Sequence, residues 1–176
     1  MTKDPDEKSR HALLSILEDQ EKILEALRKS EEQFRGIYEQ SPIAIMISNQ
    51  DGLFIDANKR CLDMFGIDDV QYVTGFNLFD DPNIPVHEIE KLRNGNPISF
   101  SSEFDFEVVK EKKLYPTSKS GKIFWEVFIK PMLDEKGKLT GYLSQVLDVT
   151  DRKLAEEDRQ KFVLLAESSS EFIGMC

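Results

Sequence analysis

Three carboxylates spaced two residues apart, Glu103, Asp105 and Glu107, form a dense cluster of potential acid–base groups. Residues two apart on an extended strand share a face. Such a row could divide general-acid and general-base roles between two carboxyl groups in different environments. An acidic chain that turns one strand face to water produces the same pattern, and the composition favours that reading, with 33 acidic against 23 basic residues among 176. His87-Glu88 opens like a zinc-peptidase helix, yet Lys91 stands where the second histidine is required. The two cysteines, Cys61 and Cys176, provide neither a disulfide framework nor metal-ligand spacing. No glycine-rich phosphate loop and no Ser/His or Cys/His arrangement accompanies them. The expectation is a chain without catalysis and without a metal.

Composition narrows the remaining classes. A hydrophobic fraction of 40% with 12 Phe supports a packed core. A net charge of −10 disfavours nucleic acid, whose phosphates demand clustered Lys and Arg, and equally an anionic membrane surface. The apolar run Ile43–Ile47 is far too short to span a bilayer, and the N-terminus lacks the apolar core of a signal peptide. Two cysteines in such a chain fit a reducing cytoplasm.

The elements that must position any site read as follows. Residues 1–40 form a helix whose Leu13, Ile16, Gln20, Ile23, Leu27, Ser30, Phe34 and Ile37 alternate between a and d heptad positions. A seam this narrow cannot bury itself, so it must meet either a second subunit or the sheet that follows. The expectation is a parallel homodimer through Leu13, Ile16, Ile23, Leu27, Phe34 and Ile37, with Gln20 and Ser30 fixing register. Pro42 ends the helix. From Ile43 the period becomes two, and Asn49-Gln50-Asp51-Gly52 makes a hairpin turn before a strand at Leu53–Asp56. Asp56 or Asn58 can cap a short helix, Lys59–Phe65, which stops at Gly66. Val86–Asn94 is the best of the later helical pieces, and Gly95 stops it. Ile98, Phe100, Phe104, Phe106 and Val108 then share one strand face opposite the carboxylate row. Ile123–Ile129 is apolar on both faces and should lie centrally, and Leu139–Val149 is the last strand. Thr150 or Asp151 can cap the charged helix that follows without a linker. The order implies an α+β fold, a five-stranded antiparallel sheet with small helices over one face, flanked by N-terminal and C-terminal amphipathic helices.

Residues 31–153 resemble a PAS sensory domain. The resemblance rests on Ser30-Glu31-Glu32-Gln33-Phe34-Arg35, Ser41-Pro42, Asp51-Gly52, Asp56-Ala57-Asn58, Phe65-Gly66, Gly75-Phe76-Asn77-Leu78-Phe79, Lys119-Ser120-Gly121 and the exit Asp148-Val149-Thr150-Asp151-Arg152-Lys153. It implies a PAS fold at 41–150 between a helix at 1–40 and an exit helix within 151–176. It implies a cytoplasmic sensory and dimerisation module of a signalling protein, most like a sensory histidine kinase, with downstream signalling domains in the same chain. The alternative is a stand-alone haem- or flavin-binding protein. In relatives with this exit motif the Asp–Arg pairing ties sheet to helix, which makes Asp148, Thr150 and Arg152 the expected relay, with Asp148 bonded to Arg152. A small-molecule pocket, as in other PAS domains, would be walled by Met64, Phe76, Leu78, Phe79, Leu92, Phe104 and Phe106, which equally suit a packed core. His87 stands in the region where haem-binding relatives carry an axial ligand, but an exposed histidine at a helix start reads the same way. Cys61 sits earlier than the reactive cysteine of flavin-binding relatives. No cofactor is therefore expected. Phe34, Ile37, Glu39, Ser41 and Ile45 recur as Phe162, Leu165, Glu167, Ser169 and Ile173 at a constant offset of 128 residues. That repeat predicts the start of a second module, and so an N-terminal piece of a longer protein.

Overall fold

In a computed structural model, the backbone is described for residues 5–173 and the side chains for residues 9–165. Two compact units result, residues 1–40 and residues 41–176. The first is one helix, α1 (Pro5–Glu39). Arg28 bridges Glu25 and Glu32 at 2.9 Å each along its surface, and Phe34 stacks on Tyr38. The six apolar seam residues are exposed to between 55% and 76%.

The second unit is the predicted sheet with its small helices. Its elements are β1 (Ala44–Asn49), β2 (Phe54–Ala57), α2 (Lys59–Phe65), 3-10 turns at Val70–Tyr72 and Leu78–Asp80, α3 (Val86–Arg93), β3 (Ile98–Asp105), α4 (Phe106–Glu111), β4 (Lys122–Leu133), β5 (Leu139–Asp148) and α5 (Thr150–Ile173). The strands pair antiparallel in the order β2-β1-β5-β4-β3, which makes β5 the central strand. Local chemistry explains several boundaries. Asn58 Oδ1 accepts from Cys61 N–H at the start of α2 and from Ile45 N–H on β1, which fixes that helix to the sheet. Gly66 ends α2 at φ 64°, in the left-handed region where a side chain is strained. Gly141 has a different role: a Cβ there would lie 2.2 Å from the Ser48 carbonyl oxygen, so only glycine lets β5 approach β1.

Two expectations change, and the burial pattern of β1 adds a further detail. The third strand stops at Asp105, because its carboxylate accepts from Glu107 N–H and starts α4, so Phe106 and Val108 are helical. Ile123–Ile129 is not buried on both faces: Trp125, Val127 and Ile129 are buried, but Phe128 is 42% exposed. In β1 the small residues Ala44 and Ser48 are the fully buried ones, while Ile45 and Ile47 are only half-buried. Of the repeat, the side chains of Glu167, Ser169 and Ile173, and Cys176 altogether, lie outside the described residues.

The core lies between the inner face of the sheet and the segment from α2 to α4. Phe104 is 1% exposed and meets Phe65, Phe106 and Trp125 at ring-centroid distances of 5.3, 5.0 and 4.6 Å. Trp125 Nε1–H donates to Ser102 Oγ at 2.6 Å, which satisfies the indole as the ring is buried.

Candidate functional site

The carboxylate row does not form a catalytic pair. Glu103 takes Lys122 at 2.6 Å, Asp105 caps α4, and Glu107 binds Lys110 at 3.2 Å and the Gly121 N–H. No group of three or more His, Cys, Asp or Glu side chains among the described residues could hold a metal ion. The His87 side chain is 69% exposed and pairs with the buried Glu88 at 3.2 Å.

An enclosed space does exist in the core. A cavity of about 40 Å³ lies between β1, β4 and β5 and the α2–α3 segment. Phe76, Leu78 and Phe104 line it as expected. Met64, Leu92 and Phe106 do not line it; they are buried in the surrounding core. Phe79 also lies outside it, under the Arg93 guanidinium at 4.1 Å and edge-on to Tyr142. The polar lining residues were not legible beforehand: Asp56, Cys61, Thr74, Asp81, Tyr115 and Ser144. Burial pushes the Cys61 thiol up to about 12, so it is an unreactive protonated group. Burial, followed by the negative charge of Asp81 and that of Cys61 once its thiol ionises, raises the Tyr115 phenol too. The Ser144 hydroxyl is fully enclosed and finds no partner among the described residues. A buried polar group left this way costs about 1–3 kcal/mol.

Asp81 is held above the ordinary carboxylate range by burial, against the opposing hydrogen bonds from Asn83 and the charge of Lys112. Its folded value exceeds its unfolded one, so the associated stability is full below the ordinary carboxylate range. It is lost as pH rises through the raised value. Asp81→Asn is therefore expected to raise the melting temperature near pH 7 and to change it little near about pH 3. Thermal unfolding at both pH values tests this, and a lower melting temperature for the variant near pH 7 contradicts it.

The second feature is the exit from the sheet. Thr150 N–H and Thr150 Oγ1 both donate to Asp148 Oδ1, at 2.9 and 2.6 Å. The same hydroxyl oxygen accepts from Phe124 N–H on β4 at 2.9 Å. Val149 N–H donates to Phe124 O at 2.8 Å, and Lys153 N–H returns to Val149 O at 2.9 Å. Thr150 thus binds the neighbouring strand; the expected cap on the helix's own N–H groups is not what its hydroxyl makes. Nor does Arg152 meet Asp148. It pairs with Glu126 on β4, and the two Thr150 donors go to Asp148 Oδ1. Asp148, Thr150 and Arg152 are brought together at one junction, but the strand they fasten to α5 is β4, through Phe124 and Glu126.

No helix among the described residues is long and apolar enough to cross a membrane. A search of curated proteins finds no match. Solved structures share the fold at low identity. The PAS domain of an HTR-like protein from Haloarcula marismortui aligns with TM-score 0.54 and 16% identity, over 73% of this chain and 98% of that one. The PAS domain of Bordetella pertussis BvgS gives 0.51 and 18%, over 78% and 98%. A PAS domain from a two-component sensor histidine kinase gives 0.50 and 16%, over 69% and 98%. The family model for the PAS domain matches residues 42–151, the stretch that contains the whole sheet, the cavity and the exit junction as far as Thr150, and the chain belongs to the PAS domain family.

Proposed function

We propose that this chain is the sensory and dimerisation module of a cytoplasmic signalling protein, a histidine kinase being the parent that fits best. It passes a change induced by a small ligand or a partner from the sheet to α5. One observation carries this reading. The first turn of α5 is fastened to β4 by two backbone-linked hydrogen bonds, from Phe124 N–H and from Val149 N–H, and by the Arg152–Glu126 pair. β4 and β5 also wall the cavity through Val127, Ile129, Ser144 and Val146. A shift at the cavity wall therefore has only a few residues to travel along the same two strands before it reaches the helix. The structural likeness to a solved histidine-kinase PAS domain supports the fold of such a parent. Catalysis would belong to domains outside this chain, and two subunits would pair through α1.

A helix that transmits rotation is sensitive to phase. Each inserted residue turns the helix by about 100°. Two residues inserted after Glu157, with an output domain attached downstream of α5, turn the output by about 200° and should abolish or invert its regulation. Seven residues restore the phase to within about 20° and should preserve regulation. Equal output from both insertions contradicts the relay.

The alternative is a haem or flavin protein. No histidine lines the cavity. His87 is a surface residue paired with Glu88. The purified chain is expected to show no absorption band in the visible, and His87→Ala should leave spectrum and melting temperature nearly unchanged. A visible band that disappears on that substitution overturns this.

A further inference from the structure

The cavity is selective in its chemistry. Its wall is aromatic and aliphatic over most of its extent, with Phe65, Phe104 and Trp125 among the lining residues. No Lys, Arg or His lines it, whereas the Asp81 carboxyl does. An anion would therefore enter without a counter-charge and beside an acid. Most of its polar groups are already engaged or chemically quiet. Thr74 Oγ1 donates to Val70 O, Asp56 accepts from Ala57 N–H, and Asp81 accepts twice from Asn83. Ser144 differs. It lies on the central strand, 1% exposed, opposite Met46 on β1 and Ile129 on β4, and its Oγ has no partner among the described residues. Neither of these neighbours bonds it.

We propose, resting on the sensory reading above, that the cavity takes one small uncharged molecule. This molecule is apolar over most of its surface and binds Ser144 Oγ through a single hydroxyl or N–H group. Ser144 is the residue that distinguishes such a molecule from a hydrocarbon of the same shape. The carboxyl of Asp81 and the absence of any lining cation turn away small acids.

Pyrrole and furan form a matched pair of probes, alike in ring shape and different in one N–H group, and formate is a small anion. Each is titrated into the isotopically labelled chain, and the amides of Met46, Ile129 and Ser144 report on the cavity. Pyrrole is expected to shift these amides saturably, and furan to bind about tenfold more weakly. Formate should leave them unmoved. Ser144→Ala should reduce pyrrole to the furan level. It should also melt no lower than the unchanged chain, because it removes an unpartnered hydroxyl, whereas a purely structural hydroxyl would be missed on removal. Equal binding of pyrrole and furan to both proteins overturns the assignment of Ser144, stronger binding of formate overturns the charge selection, and failure of every probe to move the core amides overturns the ligand class. None of these failures affects the relay itself, which the α5 insertions decide separately.

Discussion

Substituting Ile23 and Leu27 together by aspartate is expected to convert the proposed dimer into monomers in sedimentation, with the PAS fold intact. The six apolar seam positions of α1 are more than half exposed in the single chain, on a helix 35 residues long. Exposed apolar stripes of this length are unusual in a lone helix and are the normal material of a coiled-coil interface. Each seam side chain that becomes buried contributes about 1.5–3 kcal/mol. Four aspartates facing one another in a two-stranded seam reverse that gain and add the cost of unpaired buried charge, several kcal/mol in all. At about 1.4 kcal/mol per tenfold, the dimer should weaken by at least about a thousandfold. The substitutions lie outside residues 41–176, which form a compact unit of their own, so melting of that unit should hardly change. A variant that stays dimeric at the same concentrations places the interface elsewhere, with the sheet face around Phe128 as the next candidate.

Much of the fold was legible because its signals are local. The change from a 3.6-residue to a two-residue period at Ile43, the Asn58 cap, the stop at Gly66 and the hairpin turns each act within a few residues of themselves. The misplaced end of β3 shows the limit of such reasoning. The alternation of Ile98 to Val108 fits a strand throughout, but Asp105 offers its carboxylate to Glu107 N–H and turns the chain into α4. That competition between side-chain capping and the sheet ladder is invisible to periodicity. The site was less legible. Large residues attract attention, so Met64, Leu92 and Phe106 looked like pocket walls, whereas they fill the core. A cavity arises where side chains are small. Ala57, Cys61 and Ser144 on its wall leave the space, and only the pairing of β1 with β5 and the approach of α2 bring them together. At the exit, the spacing Asp148, Thr150, Arg152 correctly marked the junction. Its partners Phe124 and Glu126 lie 26 residues away on a neighbouring strand, beyond the reach of any local pattern.

Removing the Thr150 hydroxyl is expected to uncouple signal from output without unfolding the domain. The hydroxyl donates to Asp148 and accepts from Phe124 N–H, and so joins β5 and β4 to the first residue of α5. Its loss forfeits about 1 kcal/mol for each hydrogen bond and leaves the Phe124 N–H without its acceptor. The domain should survive on a total stability of about 5–15 kcal/mol. The Arg152–Glu126 pair remains, but a partly exposed ion pair contributes only about 0–1 kcal/mol and cannot replace the link. Serine at the same position keeps both hydrogen bonds and should restore coupling, which a loss of methyl packing alone would not allow. The decisive measurement is output from a domain attached downstream of α5, compared for Thr150, Thr150→Ala and Thr150→Ser chains that melt cooperatively. Regulated output with threonine and serine, and unregulated output with alanine, is the predicted result; regulation unchanged in a folded Thr150→Ala chain would contradict a relay from sheet to helix through this junction.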